Sequence, residues 1–227
     1  MFPLKDSAKS EHFPIVTVCL IALNVLVFLW ERSLDYGTLE YVTYQFGFVP
    51  GYLTAYPLDP VSWLTILTAS FMHGGWMHLI GNMWVLWLFG DNVEDKMGRG
   101  RFLLFYLLMA VLAGLFHWLT EVDSIVPVIG ASGAVAGVMG AYFLMFHNAR
   151  IFTYIVPIFF VNIPAWVYLG FWILSQVYSA FMASASGMAS TIALWAHIGG
   201  FVGGMLLYRY FLRARWRRVA EAEHGPR

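Results

Sequence analysis

Long apolar runs separated by short polar and charged clusters dominate this chain. Six can be marked, at roughly 13–30, 77–92, 101–120, 131–147, 153–181 and 190–212, and several approach the ~20 residues a helix needs to span hydrocarbon. The fourth is the shortest. Between the first two lies a stretch at 31–76 with scattered charges, Pro50, Pro57 and Pro60, and many tyrosines and tryptophans suited to a membrane interface. It is expected to fold on or partly into the outer leaflet. The pattern predicts an all-α polytopic membrane protein, a bundle of six transmembrane helices with a long first loop. Its parts would be a short cytoplasmic N-terminus at 1–12, a membrane domain at 13–212 and a basic cytoplasmic tail at 213–227.

Composition agrees. Of 227 residues, 60% are hydrophobic and only 11% charged, which is not the balance of a soluble domain. Lys5 and Lys9 precede an apolar stretch that mimics a signal peptide, but no small-residue cleavage site follows Val27-Phe28-Leu29-Trp30, so a retained helix is expected. An Arg-rich, Ser-rich presequence is also absent from this terminus, which argues against organelle import. With six helices, every lysine and arginine except Arg32 falls on one side, and the positive-inside rule makes that side, with both termini, cytoplasmic. The run Arg213 to Arg218 reads as an anchor near anionic headgroups, so membrane lipids are expected partners and nucleic acid is not. Cys19 stands alone in an apolar run, so no intrachain disulfide is possible, and a buried structural thiol is expected.

Polar groups inside apolar helices need a partner or a task. Gly130-Ala131-Ser132-Gly133 starts the short fourth segment. A serine at a helix start sits beside unpaired N–H groups and a partial positive charge, both favourable to an oxyanion. Taken alone, the motif reads first as an ordinary N-cap serine with packing glycines. A catalytic serine requires a base, normally imidazole, and the sixth segment offers His197 in Ala196-His197-Ile198-Gly199-Gly200. Gly199/Gly203 and Gly200/Gly204 there, facing Gly133, Gly137 and Ala141 of the fourth segment, permit close packing. A histidine bonded to a backbone carbonyl is the plainer alternative. In the second segment His78 and Asn82, at i and i+4, project from one face and are placed to donate to an oxyanion. His73 belongs to the preceding loop. The histidine spacing lacks the pattern of an H-E-x-x-H metalloprotease, so no metal is expected. Asp91, Glu94 and Asp95 cluster with Lys96, Arg99 and Arg101 and look structural, leaving a Ser-His dyad. Asn24, Asn162 and Gln176 read as interhelical hydrogen-bonders, and His117 and His147 as helix-end residues.

Together, H-x-x-x-x-H-x-x-x-N at His73, His78 and Asn82, G-x-S-G at Gly130 to Gly133, and A-H-x-G-G at Ala196 to Gly200 resemble the rhomboid intramembrane serine proteases. Glu94 and Gly98 extend the resemblance, which covers roughly 60–212. It implies a six-helix core and cofactor-free cleavage of membrane-anchored proteins in or near a transmembrane segment. Ser132 would be the nucleophile, His197 the base, and His78, Asn82 and the Ser132 N–H the oxyanion donors, with His73 peripheral. The fifth helix and the loop Met182 to Ser190 would be a lateral gate and cap. One departure is Ala136, where some relatives place a tyrosine against the histidine. The competing readings are a catalytically silent relative that escorts membrane clients, and a transporter. Oligomeric state is not legible in these motifs.

Overall fold

In a computed structural model, which describes residues 1–157, 159–186 and 193–218, the apolar runs become helices. In chain order these are α1 (Ile15–Ser33), α2 (Tyr36–Phe46), α3 (Pro50–Ala55), α4 (Pro60–Thr68), α5 (Trp76–Met97), α6 (Arg99–Thr120), α7 (Ser132–Met145), α8 (Ala165–Ser186) and α9 (Leu194–Phe211). The six longest among the described residues are α1 and α5 to α9, and three of these, α1, α6 and α8, are long and apolar enough to cross a membrane. The long first loop folds into α2, α3 and α4, with Asp35 and Asp59 accepting from Thr38 N–H and Val61 N–H at the starts of α2 and α4. Such caps satisfy donors that a helix start leaves free.

The structure departs from the sequence expectations at several points. The run 153–181 is not one helix: β2 (Arg150–Ile155) and β3 (Phe159–Pro164) form an antiparallel hairpin, and α8 begins only at Ala165. β1 (Phe2–Asp6) in the N-terminal segment pairs antiparallel with β2, giving a sheet of order β1-β2-β3. The helical body therefore carries a three-stranded sheet, and the chain is not wholly α. Trp84 on α5 donates from its indole to Pro3 O at 2.6 Å, holding β1 against the bundle. Cys19, expected to be buried, is exposed on α1.

The helix ends gather into two faces. One holds the sheet, the start of α1, the α5–α6 turn and the end of α9. There the buried carboxylate of Glu94 accepts from Val16 N–H, Thr17 N–H and the Thr17 hydroxyl at 2.8 to 3.0 Å. These bonds cap α1, which begins at Pro14 without a cap of its own. Gly98 closes α5 and opens α6 at φ 82°, and a Cβ there would meet the Arg213 guanidinium. Arg101 donates to Leu212 O at 2.9 Å and the Lys96 ammonium lies 3.5 Å over the Trp216 ring. The basic segment is thus seated on the bundle as far as Trp216, while 219–227 lie outside the described residues.

The other face holds the ends of α1 and α6 and the starts of α5, α7 and α9. Between the two faces α7 is enclosed, buried from Gly133 to Tyr142. Glycines set its distance from α9: a methyl group at Gly200, Gly204 or Gly140 would overlap the carbonyl oxygen of Gly133, Gly137 or Phe201 respectively. Such contact gives van der Waals packing that larger side chains would prevent.

Candidate active site at the start of the central helix

The first loop positions the G-x-S-G motif. Phe48 and Val128 form a β-bridge with two backbone bonds, and Gly130 N–H donates to Ala69 O at 2.9 Å. Gly130 itself has φ 130°, a conformation costly for any residue with a Cβ. A Cβ there would also stand 2.6 Å from His78 Nε2 and 3.7 Å from Ser132 Oγ. His78 and the Ser132 hydroxyl therefore converge on one small region beside Gly130.

Ser132 is the first residue of α7 and is half-buried, and α7 has no side-chain cap. Its neighbour Gly133 packs on Ala196: a Cβ at Gly133 would lie 3.7 Å from Ala196 O. Ala196 immediately precedes His197, so the start of α7 and the start of α9 meet where the two motifs lie. Beside them is a cavity of about 40 Å³ whose lining includes Ser70, Ala113, Gly130, Ser132, Gly133 and Ala196. That is room for a water molecule or two.

Among the described residues, Ser132 Oγ makes no hydrogen bond to His197. The imidazole is instead held from the other side: His197 Nδ1 lies 2.8 Å from Gln176 Oε1 on α8. The Trp172 ring, one turn earlier on α8, stands 5.9 Å from the imidazole, centroid to centroid. With Ala136 on α7, the ring beside the imidazole comes from a different helix, α8.

Asn82 is buried on α5, and its amide nitrogen has no partner among the described residues. A buried unpaired donor is expensive unless something binds to it. His73 lies in the loop before α5, buried, with its ring 5.0 Å from that of His78. Burial first, and His78 second, push its imidazole down to about 4, so it is neutral. Its backbone N–H donates to Glu31 at 3.2 Å, which ties this loop to the end of α1. His73 and His78 are not joined into a metal cluster. The group with metal-ligand spacing among the described residues is Glu11, His12 and Asp95 on the opposite face, where His12 Nδ1 pairs with Asp95 at 2.7 Å.

The structure therefore brings Gly130, Ser132, Gly133 and His78 together, and sets His197, Gly199 and Gly200 beside them on α9, with Gly199 packed on Phe116 and Gly200 on Gly133. Glu94 and Gly98 lie at the far end, as structural residues. Sequence reasoning missed Gln176 and Trp172 as neighbours of His197, while His117, expected at a helix end, lies buried in the last turn of α6. The only signal for Gln176 was its polarity in an apolar helix. Residues 187–190 of the expected cap lie outside the described residues, and Met182 to Ser186 belong to α8.

The family model for the Rhomboid domain matches residues 60–214, a span containing all three motifs and more than half of the chain. The chain belongs to the rhomboid family. It is an integral membrane protein by that membership and by its apolar helices. It is similar to Rhomboid protein 1, mitochondrial, of Saccharomyces cerevisiae, 30% identical over 94% of this chain and 59% of the relative. It is also similar to two Bacillus subtilis proteins. Rhomboid protease GluP is 32% identical over 84% of the chain and 34% of the relative, and Putative rhomboid protease YdcA is 30% identical over 69% and 71%. The chain thus spans little more than half the length of the yeast relative and a third of GluP.

Proposed function

We propose that this rhomboid is an intramembrane serine endopeptidase that hydrolyses peptide bonds in or near transmembrane segments of membrane proteins. Ser132 attacks the carbonyl carbon, His197 takes its proton and later delivers it to the leaving amine, and water then resolves the acyl-enzyme with His197 again as base. His78, Asn82 and the Ser132 N–H hold the oxyanion. The observation that carries this reading is the meeting of three motifs at one point. Ser132 opens α7, Gly133 rests on the residue before His197, and the His78 ring lies against Gly130.

Two features support the reading further. Among the described residues Asn82 keeps a buried donor free, and the small cavity at Ser132 admits water to a site inside a bilayer. The basic side chains near the termini favour a cytoplasmic location for that end, which sets the active site toward the opposite leaflet of a cell membrane. Membrane-anchored proteins are the expected substrates.

The test is cleavage of a single-pass reporter helix by the purified protein in liposomes. Wild type should cut it, and Ser132→Ala and His197→Ala should not. Cleavage that survives Ser132→Ala, or that a metal chelator abolishes, would overturn the assignment.

A further inference from the structure

His197 is fixed by a helix other than its own. Its Nδ1 meets Gln176 Oε1 at 2.8 Å. The other end of that amide settles its orientation, since Gln176 Nε2 donates to Ser175 Oγ at 3.2 Å. Ser175 Oγ in turn donates to Trp172 O at 2.6 Å. Every group in this chain is used with the correct polarity: a backbone carbonyl, a hydroxyl that donates and accepts, an amide that donates and accepts, and an imidazole N–H. Because the amide oxygen only accepts, the proton of neutral His197 sits on Nδ1 and Nε2 keeps its lone pair.

From this geometry we infer that Gln176 is the positioning residue for the base, locking His197 in the tautomer that leaves Nε2 free to take the Ser132 proton. The inference rests on the dyad reading above. In a Ser-His-Asp triad a buried carboxylate holds the imidazole in this way. Inside a bilayer an unpaired carboxylate is costly, and an amide supplies the same acceptor without a buried charge. Among the described residues His197 has no carboxylate partner, so the amide stands where the acid would.

The inference also gives α8 a part in the chemistry. Both side chains that fix the imidazole, Gln176 and Trp172, are on α8, which buries only Ala165, Tyr168, Leu169 and Ala180 and is the least enclosed of the three helices long and apolar enough to cross a membrane. The readiness of the base therefore depends on how α8 is seated against α9.

The test uses full-length protein in detergent with the reporter substrate and two variants. Gln176→Met keeps the shape of the side chain and removes the acceptor; Gln176→Glu keeps an oxygen facing Nδ1. Losing one orienting hydrogen bond should lower kcat on the order of tenfold for Gln176→Met with KM unchanged, and Gln176→Glu should recover most of that loss. Nitrogen NMR of ¹⁵N-labelled histidine, assigned with His197→Ala, should show wild-type His197 protonated on Nδ1 and Gln176→Met as a tautomer mixture. Wild-type His197 protonated on Nε2 would overturn the inference whatever the variants do. So would an unchanged kcat in Gln176→Met, or equal losses of kcat and melting temperature in both variants, which would mark a packing role. Ser132→Ala on the same preparation separates the two ideas. If it still cleaves, the dyad reading fails; if it is inert while Gln176→Met is fully active, only the role of Gln176 fails.

Discussion

Gly200→Ala strains one of the close glycine contacts that set the spacing of α7 and α9. The new methyl group would overlap the Gly133 carbonyl oxygen, a backbone atom that no rotamer change can move aside. Gly81 on α5 is the matched control, since a Cβ there meets nothing within 4 Å. Both substitutions gain about 1 kcal/mol of helix propensity. Only Gly200→Ala adds overpacking, which costs about 1–3 kcal/mol where neighbours can yield and belongs at the upper end against backbone. The two variants should then differ by about 3 kcal/mol, or roughly 6–12 °C in unfolding midpoint for a chain of this size. Thermal unfolding in one detergent reads that difference directly. The enzyme should suffer more than the fold, because moving α9 off α7 by ~1 Å shifts His197 from Ser132, a displacement that can cost on the order of 10²-fold in turnover. Equal midpoints for Gly200→Ala and Gly81→Ala would refute the glycine-set spacing of α7 and α9.

Asn82→Ala removes a donor that the proposed mechanism assigns to the oxyanion and should lower kcat by roughly 10²–10³-fold; kinetics with an unchanged kcat would remove Asn82 from the site. At the opposite face, burial lifts the Asp6 carboxyl to about 6 from 3.8, aided by the charge of Asp91 and opposed by the Tyr142 hydroxyl that donates to it. The folded chain then holds this proton to higher pH than the unfolded chain does, so ionised Asp6 destabilises the fold as pH rises from about 4 through 6. The Asp6→Asn variant, which carries no charge, should gain in melting temperature relative to wild type across that window and level off above it. A pH-independent difference would contradict the buried setting of Asp6.

The motifs were legible because each combines a polar group with an unusual backbone demand. Gly130 shows this well: its φ of 130° and the His78 ring against it exclude any side chain. The run 153–181 was misread because Phe159, Phe160 and Val161 are as apolar as the helix that follows, and hydrophobicity alone does not separate a strand from a buried helix. β1 was invisible for another reason, since Phe2 pairs with Tyr154 far along the chain and so short a strand has no local signal. Glu31, at the edge of the charged stretch 31–76, is buried and receives the His73 N–H. Gln176 could be flagged as a polar residue needing a partner, but its partner depends on the rotation of α8 against α9, which no periodicity encodes. Cys19 went wrong because an apolar helix in a bilayer can face lipid as well as protein.

The most direct test of the central claim is mass spectrometry of the intact protein after treatment with a fluorophosphonate, with the adduct located by peptide mapping. The account predicts one adduct, on Ser132, lost when His197 is replaced by alanine because the serine then has no base. An adduct on another serine, or an unlabelled Ser132 in protein that still cleaves its reporter, would contradict it.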